Sequence, residues 1–180
     1  LIVSILTSKT YKTVAAIICA INFCHGFKVL ISSTYAIVPR IIIPTKTTKI
    51  SNEAFKWCSE LRAVDFTGCS ELTEIYLWNT GITSIDLSPC PKLTSIDFEN
   101  CKNLESVNLT GCSALTKIGY NAFKGCIEAV VKLPASITEI KWKAFGGDDT
   151  SYCKEVHVPN ETIKGLVRNS RYPEDRIKMY

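Results

Sequence analysis

The side chains able to do chemistry are few and poorly placed for it. There are two histidines, His25 and His157, and neither stands in a Ser-His-Asp or Cys-His arrangement suited to nucleophilic catalysis. Nine cysteines are present, but no Cys-x-x-Cys occurs, so the spacing expected of a zinc site is missing. Carboxylates remain. Asp97 and Glu99 lie two positions apart, and on one face of an extended strand their Cβ atoms stand about 7 Å from each other. Such a pair can in principle serve glycoside hydrolysis, yet the pattern around it places acidic residues on that face anyway and implies no cleft. The chain therefore reads as non-enzymatic, with no cofactor and no metal.

At 180 residues, with 46% hydrophobic and 21% charged residues, the composition is that of a globular domain rather than a disordered chain. The formal charge of +4 is unevenly spread. Residues 1–60 carry seven Lys/Arg against two Asp/Glu, residues 61–114 three against seven, and residues 115–180 eleven against eight. An acidic middle argues against a phosphate-binding surface, so nucleic acid is not an expected partner.

Lys9 and Lys12 precede a mostly apolar run from Val14 to Phe27, and Ser32-Ser33-Thr34-Tyr35-Ala36 follows. Basic, apolar, then small is the order of a secretory signal, with cleavage after Ala36. A packed helix is the competing reading. The run of 14 residues is shorter than the ~20 that a membrane span needs, so no stable span is expected. This divides the chain into a signal peptide or apolar segment over 1–36 and a domain over 37–180.

Within that domain the organising feature is a repeat. Leu61, Leu72, Ile82, Leu93, Leu104 and Leu115 are spaced by 11, 10, 11, 11 and 11 residues. The first five open the phrase L-x-x-[IV]-x-[LF]-x-x-C, with Asn79 replacing the cysteine one position early in the shortened unit. Apolar and polar residues alternate inside each phrase, the period of a half-buried strand. One such unit cannot bury its apolar side alone, so units must stack, two to a coil with a strand on each side. The expected core is Leu61, Val64, Phe66, Leu72, Ile75, Leu77, Ile85, Leu87, Leu93, Ile96, Phe98, Leu104, Val107, Leu109, Leu115 and Ile118. Cys69, Cys90, Cys101 and Cys112 fall at the corner between units, where a small thiol can pack inward and satisfy a backbone group. Parallel corner positions, and an odd count of seven cysteines beyond residue 36, favour buried free thiols over a disulfide framework.

The flanks carry a longer unit: TTKISNEAFKWC at 47–58, LTKIGYNAFKGC at 115–126 and LPASITEIKWKAF at 133–145. These phrases resemble the BspA-like leucine-rich repeat family over about residues 41–158, although the central phrases lack Ala-Phe and are closer to generic leucine-rich units. The expected fold is a leucine-rich repeat solenoid, a right-handed parallel β-solenoid of about five coils with a short C-terminal cap at 154–180. In the cap, residues 154–159 supply a last strand, and Asn160 stands as N-cap of a helix beginning at Glu161. His157 reads as structural or solvent-facing. Two sequons, at Asn108 and Asn160, accept N-glycans only in a eukaryotic secretory route.

What the family resemblance implies is a secreted or cell-surface protein in bacteria or protists, engaged in adhesion to host proteins or neighbouring cells. The residues add a location. Outward strand positions are Asp65, Thr67, Asp86, Ser88, Asn108 and Thr110 in one set of units. In the other set they are Tyr76, Trp78, Asp97, Glu99, Gly119 and Asn121. Tyr76 and Trp78 break the polar pattern next to a carboxylate pair, and exposed aromatics anchor interfaces and stack on sugars. Tyr76, Trp78, Asp97 and Glu99 are thus the candidate binding residues for a protein or glycan partner. The alternative is a structural module of a larger surface protein with no ligand site of its own.

Overall fold

A computed structural model describes residues 40–51, 54–55, 58–59, 61–147 and 151–180. The segment read as a signal or packed helix lies outside them. Strands come in pairs, one pair to a coil: β1 (Arg40–Ile42) with β2 (Lys49–Ile50), β3 (Ala63–Asp65) with β4 (Glu74–Tyr76), and β5 (Ser84–Asp86) with β6 (Ser95–Asp97). Next come β7 (Ser106–Asn108) with β8 (Lys117–Ile118), and β9 (Val130–Lys132) with β10 (Glu139–Ile140). A further strand, β11 (Glu155–Val158), opens another coil that helix α1 (Glu161–Asn169) closes.

Odd-numbered strands pair in parallel along one side, in the order β1-β3-β5-β7-β9-β11. Even-numbered strands form β2-β4-β6 and β8-β10 on the other. This is the expected parallel solenoid, with about six turns instead of five. The difference arises at the end of the chain, where β11 adds a coil whose second side is a helix and carries no repeat phrase.

All sixteen expected core residues are buried. The four corner cysteines are buried and free, as are Cys126 and Cys153, whereas Cys58 is disulfide-bonded. Their thiols do a defined job. The carbonyl that ends each strand segment already accepts the amide of its own turn: Leu87 O from Cys90 N at 2.9 Å, Phe98 O from Cys101 N at 3.1 Å, and Phe123 O from Cys126 N at 3.2 Å. The same three oxygens also accept from a thiol of the next coil, Cys112 Sγ at 3.2 Å, Cys126 Sγ at 3.0 Å and Cys153 Sγ at 3.6 Å. A buried carbonyl with two lone pairs is thus satisfied twice.

In the shortened unit the corner belongs to Thr80, which holds the ninth position of the phrase, and not to Asn79 one position earlier. Thr80 is buried, donates to Leu77 O at 2.7 Å and lies 3.3 Å from Cys101 Sγ. Asn79 takes the left-handed turn position instead, with φ 57°, which asparagine tolerates better than most residues. Thr80 follows Cys69 by 11 residues and precedes Cys90 by 10, so the residue this unit lacks is missing from the link after the corner.

The Ala-Phe units depart from the rest for a countable reason. Phe98 follows Ile96 by two positions, whereas Phe123 follows Ile118, and Phe145 follows Ile140, by five. The additional residues loop outward, and the chain rejoins the stack at Ala-Phe: Phe98 N donates to Ala122 O, and Phe123 N to Ala144 O, both at 2.8 Å. That detour separates β6 from β8. Inside, Phe98, Phe123 and Phe145 stack at centroid separations of 5.5 and 5.6 Å, and Tyr172 meets Phe145 edge-on at 5.7 Å.

The cap extends this column. Asn160 Oδ1 accepts Ile163 N at 2.9 Å, as an N-cap should. Ile163 and Val167 turn inward, and Tyr172 donates to Cys153 O at 2.9 Å. One element had no signal in the repeat: β12 (Ile177–Met179), which pairs in parallel with β11. His157 does have a partner, Glu155 Oε2 at 2.8 Å, two residues back on the same face of β11.

Two outcomes follow. Phe123→Ala removes the middle ring of the column and should destabilise the fold by about 3–5 kcal/mol in urea unfolding. Burial pushes the Cys90 and Cys112 thiols up to about 12, so a thiol reagent should label neither in the native protein and should label both in denaturant.

Candidate functional site

The outward strand positions of the two sides behave differently. On the odd side they close their own turns. Asp65 Oδ1 accepts Thr67 N at 2.9 Å and Thr67 Oγ1 at 2.7 Å. Asp86 Oδ1 accepts Ser88 N at 3.0 Å, and Asn108 Oδ1 accepts Thr110 N at 3.2 Å. Asn108 Nδ2 then reaches back to Asp86 Oδ1 at 3.0 Å, tying adjacent coils. The polar residues of that side are turn chemistry, in which a short side-chain oxygen caps the amide two residues on.

On the even side the register sets Tyr76 directly against Asp97. Trp78 and Glu99 follow two residues later in the two turns, and Lys49 comes from β2, whose register places it beside Glu74. Lys49, Tyr76, Trp78, Asp97 and Glu99 together line one open depression of about 490 Å³. The structure therefore brings all four expected residues together. They are half-buried, whereas the strand rhythm alone placed the two aromatics fully outside.

Their contacts explain the partial burial. Tyr76 Oη lies 3.1 Å from Ser95 Oγ, and Lys49 Nζ sits 5.9 Å from the Tyr76 ring centroid. Lys49 also pairs with Glu74. Asp97 Oδ1 accepts Glu99 N at 2.9 Å, the same turn cap as on the odd side. Burial raises the Asp97 carboxyl above its ordinary value, opposed by that hydrogen bond. Glu99 Oε1 stands 3.8 Å from Lys124 Nζ. One carboxylate is committed to a turn and the other faces a lysine, so the arrangement offers hydrogen-bond acceptors beside aromatic faces, not an acid–base pair across a scissile bond. Among the described residues no three His, Cys, Asp or Glu side chains converge as metal ligands do. No described helix is long and apolar enough to cross a membrane.

The profile described as BspA type leucine rich repeat region matches residues 34–161 in six copies. The chain belongs to the BspA-type leucine-rich repeat family. Searches of the curated proteins and of the solved structures each return no significant match. The match spans both the Ala-Phe units and the shorter central units, so the chain carries this family's repeat through its middle despite the missing Ala-Phe there.

Two features of this BspA-type array are not marked by the strand rhythm. One is Lys49, although its place one residue before Ile50 matches that of Glu74 before Ile75. The other is an exposed aromatic pair, Tyr120 and Trp142, with ring centroids 6.1 Å apart. Each stands two residues after the strand isoleucine of a long unit, at the outward loop that Ala-Phe units add. That shared position was the available signal.

Asp97→Asn should keep the turn, since asparagine caps Thr110 in the same way, while removing a charge that burial disfavours. Protonation of Asp97 is favoured in the folded state, so wild-type stability falls as pH rises from the ordinary aspartate value through the raised one. The variant should therefore show a small rise in Tm at neutral pH that vanishes in acid, measured by thermal unfolding against pH.

Proposed function

We propose that this chain is a non-catalytic binding module of a secreted or cell-surface protein, engaging a protein or glycan partner through the depression lined by Tyr76, Trp78, Asp97 and Glu99. One observation carries the reading: two half-buried aromatics and two carboxylates from successive coils meet in a single open hollow on a rigid stack. The aromatics supply flat apolar faces with polar tips, and the carboxylates accept hydrogen bonds from hydroxyls or amides. A broad, shallow surface of this kind suits an extended partner. Location at a surface or in secretion rests on the family and on the basic–apolar–small order of the first 36 residues.

A second reading has its own support. Tyr76 is held by Ser95, and Asp97 by the amide of Glu99, contacts that a purely structural module would also contain. A glycan array and a pull-down with the full chain separate the two. The Tyr76→Ala/Trp78→Ala double variant should keep the wild-type circular dichroism and lose roughly tenfold or more in affinity for the captured partner, as loss of interface anchors does. Unchanged capture by a folded double variant would establish the structural reading instead.

A further inference from the structure

On the odd side the outward row that begins with Asp65 and Asp86 ends in basic residues. Asn108, Lys132, His157 and Lys178 stand directly opposite one another on β7, β9, β11 and β12, about 4.8 Å from strand to strand. Lys132 and Lys178 are exposed and His157 is half-buried between them. The sequence explains why these positions are open to such side chains. Asp65, Asp86 and Asn108 each cap the amide two residues on. Two residues after Lys132 and His157 come Pro134 and Pro159, which have no amide hydrogen to cap.

Turn chemistry makes no demand there, yet the row sets a titratable base between two lysines. Like charges directly opposite each other destabilise a strand pair. The even side shows the opposite habit: Lys49 lies across from Glu74 and pairs with it, and Lys117 lies across from Glu139 and pairs with it. Lys132 and Lys178 have no carboxylate partner among the described residues, and Lys178 Nζ donates to Asp175 O at 2.8 Å. The charges around the imidazole are Lys132 on β9, Glu155 on β11 with Lys154 just before it, and Lys178 on β12 with Asp175 and Arg176 just before it. Helix α1 packs against β11 and uses its charges elsewhere, Lys164 on Glu161 and Arg168 on Glu174. Glu155 is therefore the one carboxylate bonded to His157, at 2.8 Å. That hydrogen bond, with Lys178 and Lys154 nearby, holds its carboxyl below the ordinary value.

We propose that Lys132, His157 and Lys178 form a docking row for an acidic peptide segment of a protein partner, engaged more tightly in acid, when His157 gains a proton. Carboxylates laid along the row pair with its cations and offset their mutual repulsion. Asp65 and Asp86, at the far end of the same face, confine an anion to the basic half and repel a long polyanion or an anionic membrane plane. No aromatic stands in the row for a sugar ring to stack on, which favours flexible acidic side chains over an acidic glycan. The row lies on the other side of the stack from the Tyr76 depression and does not depend on it.

Calorimetric titration of the full chain with an acetylated poly-aspartate peptide tests this at about pH 5.5 and about pH 7.5, on either side of the ordinary histidine value. Binding should be roughly two- to fivefold tighter in acid, the worth of one added exposed ion pair, and weaker at high salt. Lys132→Gln and Lys178→Gln should each lower affinity by roughly the same factor. His157→Gln should bind equally at the two pH values. Lys102→Gln, a charge removed elsewhere on the surface, should leave the affinity unchanged. Without ligand, Lys132→Gln should raise Tm in acid, because a like charge opposite the imidazolium is gone. Absence of peptide binding in acid, an acid gain that survives His157→Gln, or tighter binding of a chondroitin sulfate oligosaccharide or of phosphatidylserine vesicles would overturn the proposal.

Discussion

Everything in this fold depends on how each coil treats the carbonyl at its inner corner. A chain that turns inward every 11 residues or so must bury the oxygen that ends each strand segment, and a buried carbonyl left half-satisfied is costly. The turn's own amide answers one lone pair. The other points up the stack, where only the next coil can reach it, and a thiol is the side chain that does so. Cysteine suits the place because its body is small and apolar while its S–H still donates weakly. Thr80 shows the limit of the rule: a hydroxyl fits the corner as well, but it donates to the carbonyl of its own turn. The corner contact therefore both closes a coil and fixes its distance from the neighbour.

Much of this was legible before any coordinates. Alternation of apolar and polar residues fixes which side chains face inward, and the 11-residue spacing fixes where coils repeat, so the buried list could be written from leucine positions. What escaped were features that break the period. The extra residues ahead of Phe123 and Phe145 conserve the inner face and change only the outer one, so the core pattern carries no trace of the loops bearing Tyr120 and Trp142. The strand and helix of the sixth coil were legible, but as a cap, because a coil whose second side is a helix carries no repeat phrase. The residues of β12 follow no repeat phrase and are recognisable only from the strand they join. Tyr76 is half-buried because Ser95 lies one coil away, a neighbour that only the register of β4 on β6 identifies.

The two sides of the stack divide the work. On the odd side, Asp65, Asp86 and Asn108 hold their own turns, and the row continues in register through Lys132, His157 and Lys178. It passes from acidic to basic with short polar or charged side chains, and it has no aromatic in that row. The even side interrupts its ladder between β6 and β8, and on either flank of that interruption sit the two aromatic groups. Side chains that are not needed to close turns are free to differ from coil to coil. These two aromatic groups stand on the side whose ladder is already broken.

The column of thiols also gives the fold a memory of being opened. While the coils are stacked, the thiols of Cys69, Cys101, Cys112, Cys126 and Cys153 are each occupied with a carbonyl of the coil before. Neighbouring strands lie only about 4.8 Å apart, a backbone separation that a disulfide spans readily. A coil pried loose in an oxidising medium therefore presents cysteines close enough to join and no longer held parallel. Once joined, they cannot return to their carbonyls. Where such joining outpaces restacking, the lifetime of the fold is set by how rarely the stack opens rather than by how stable it is.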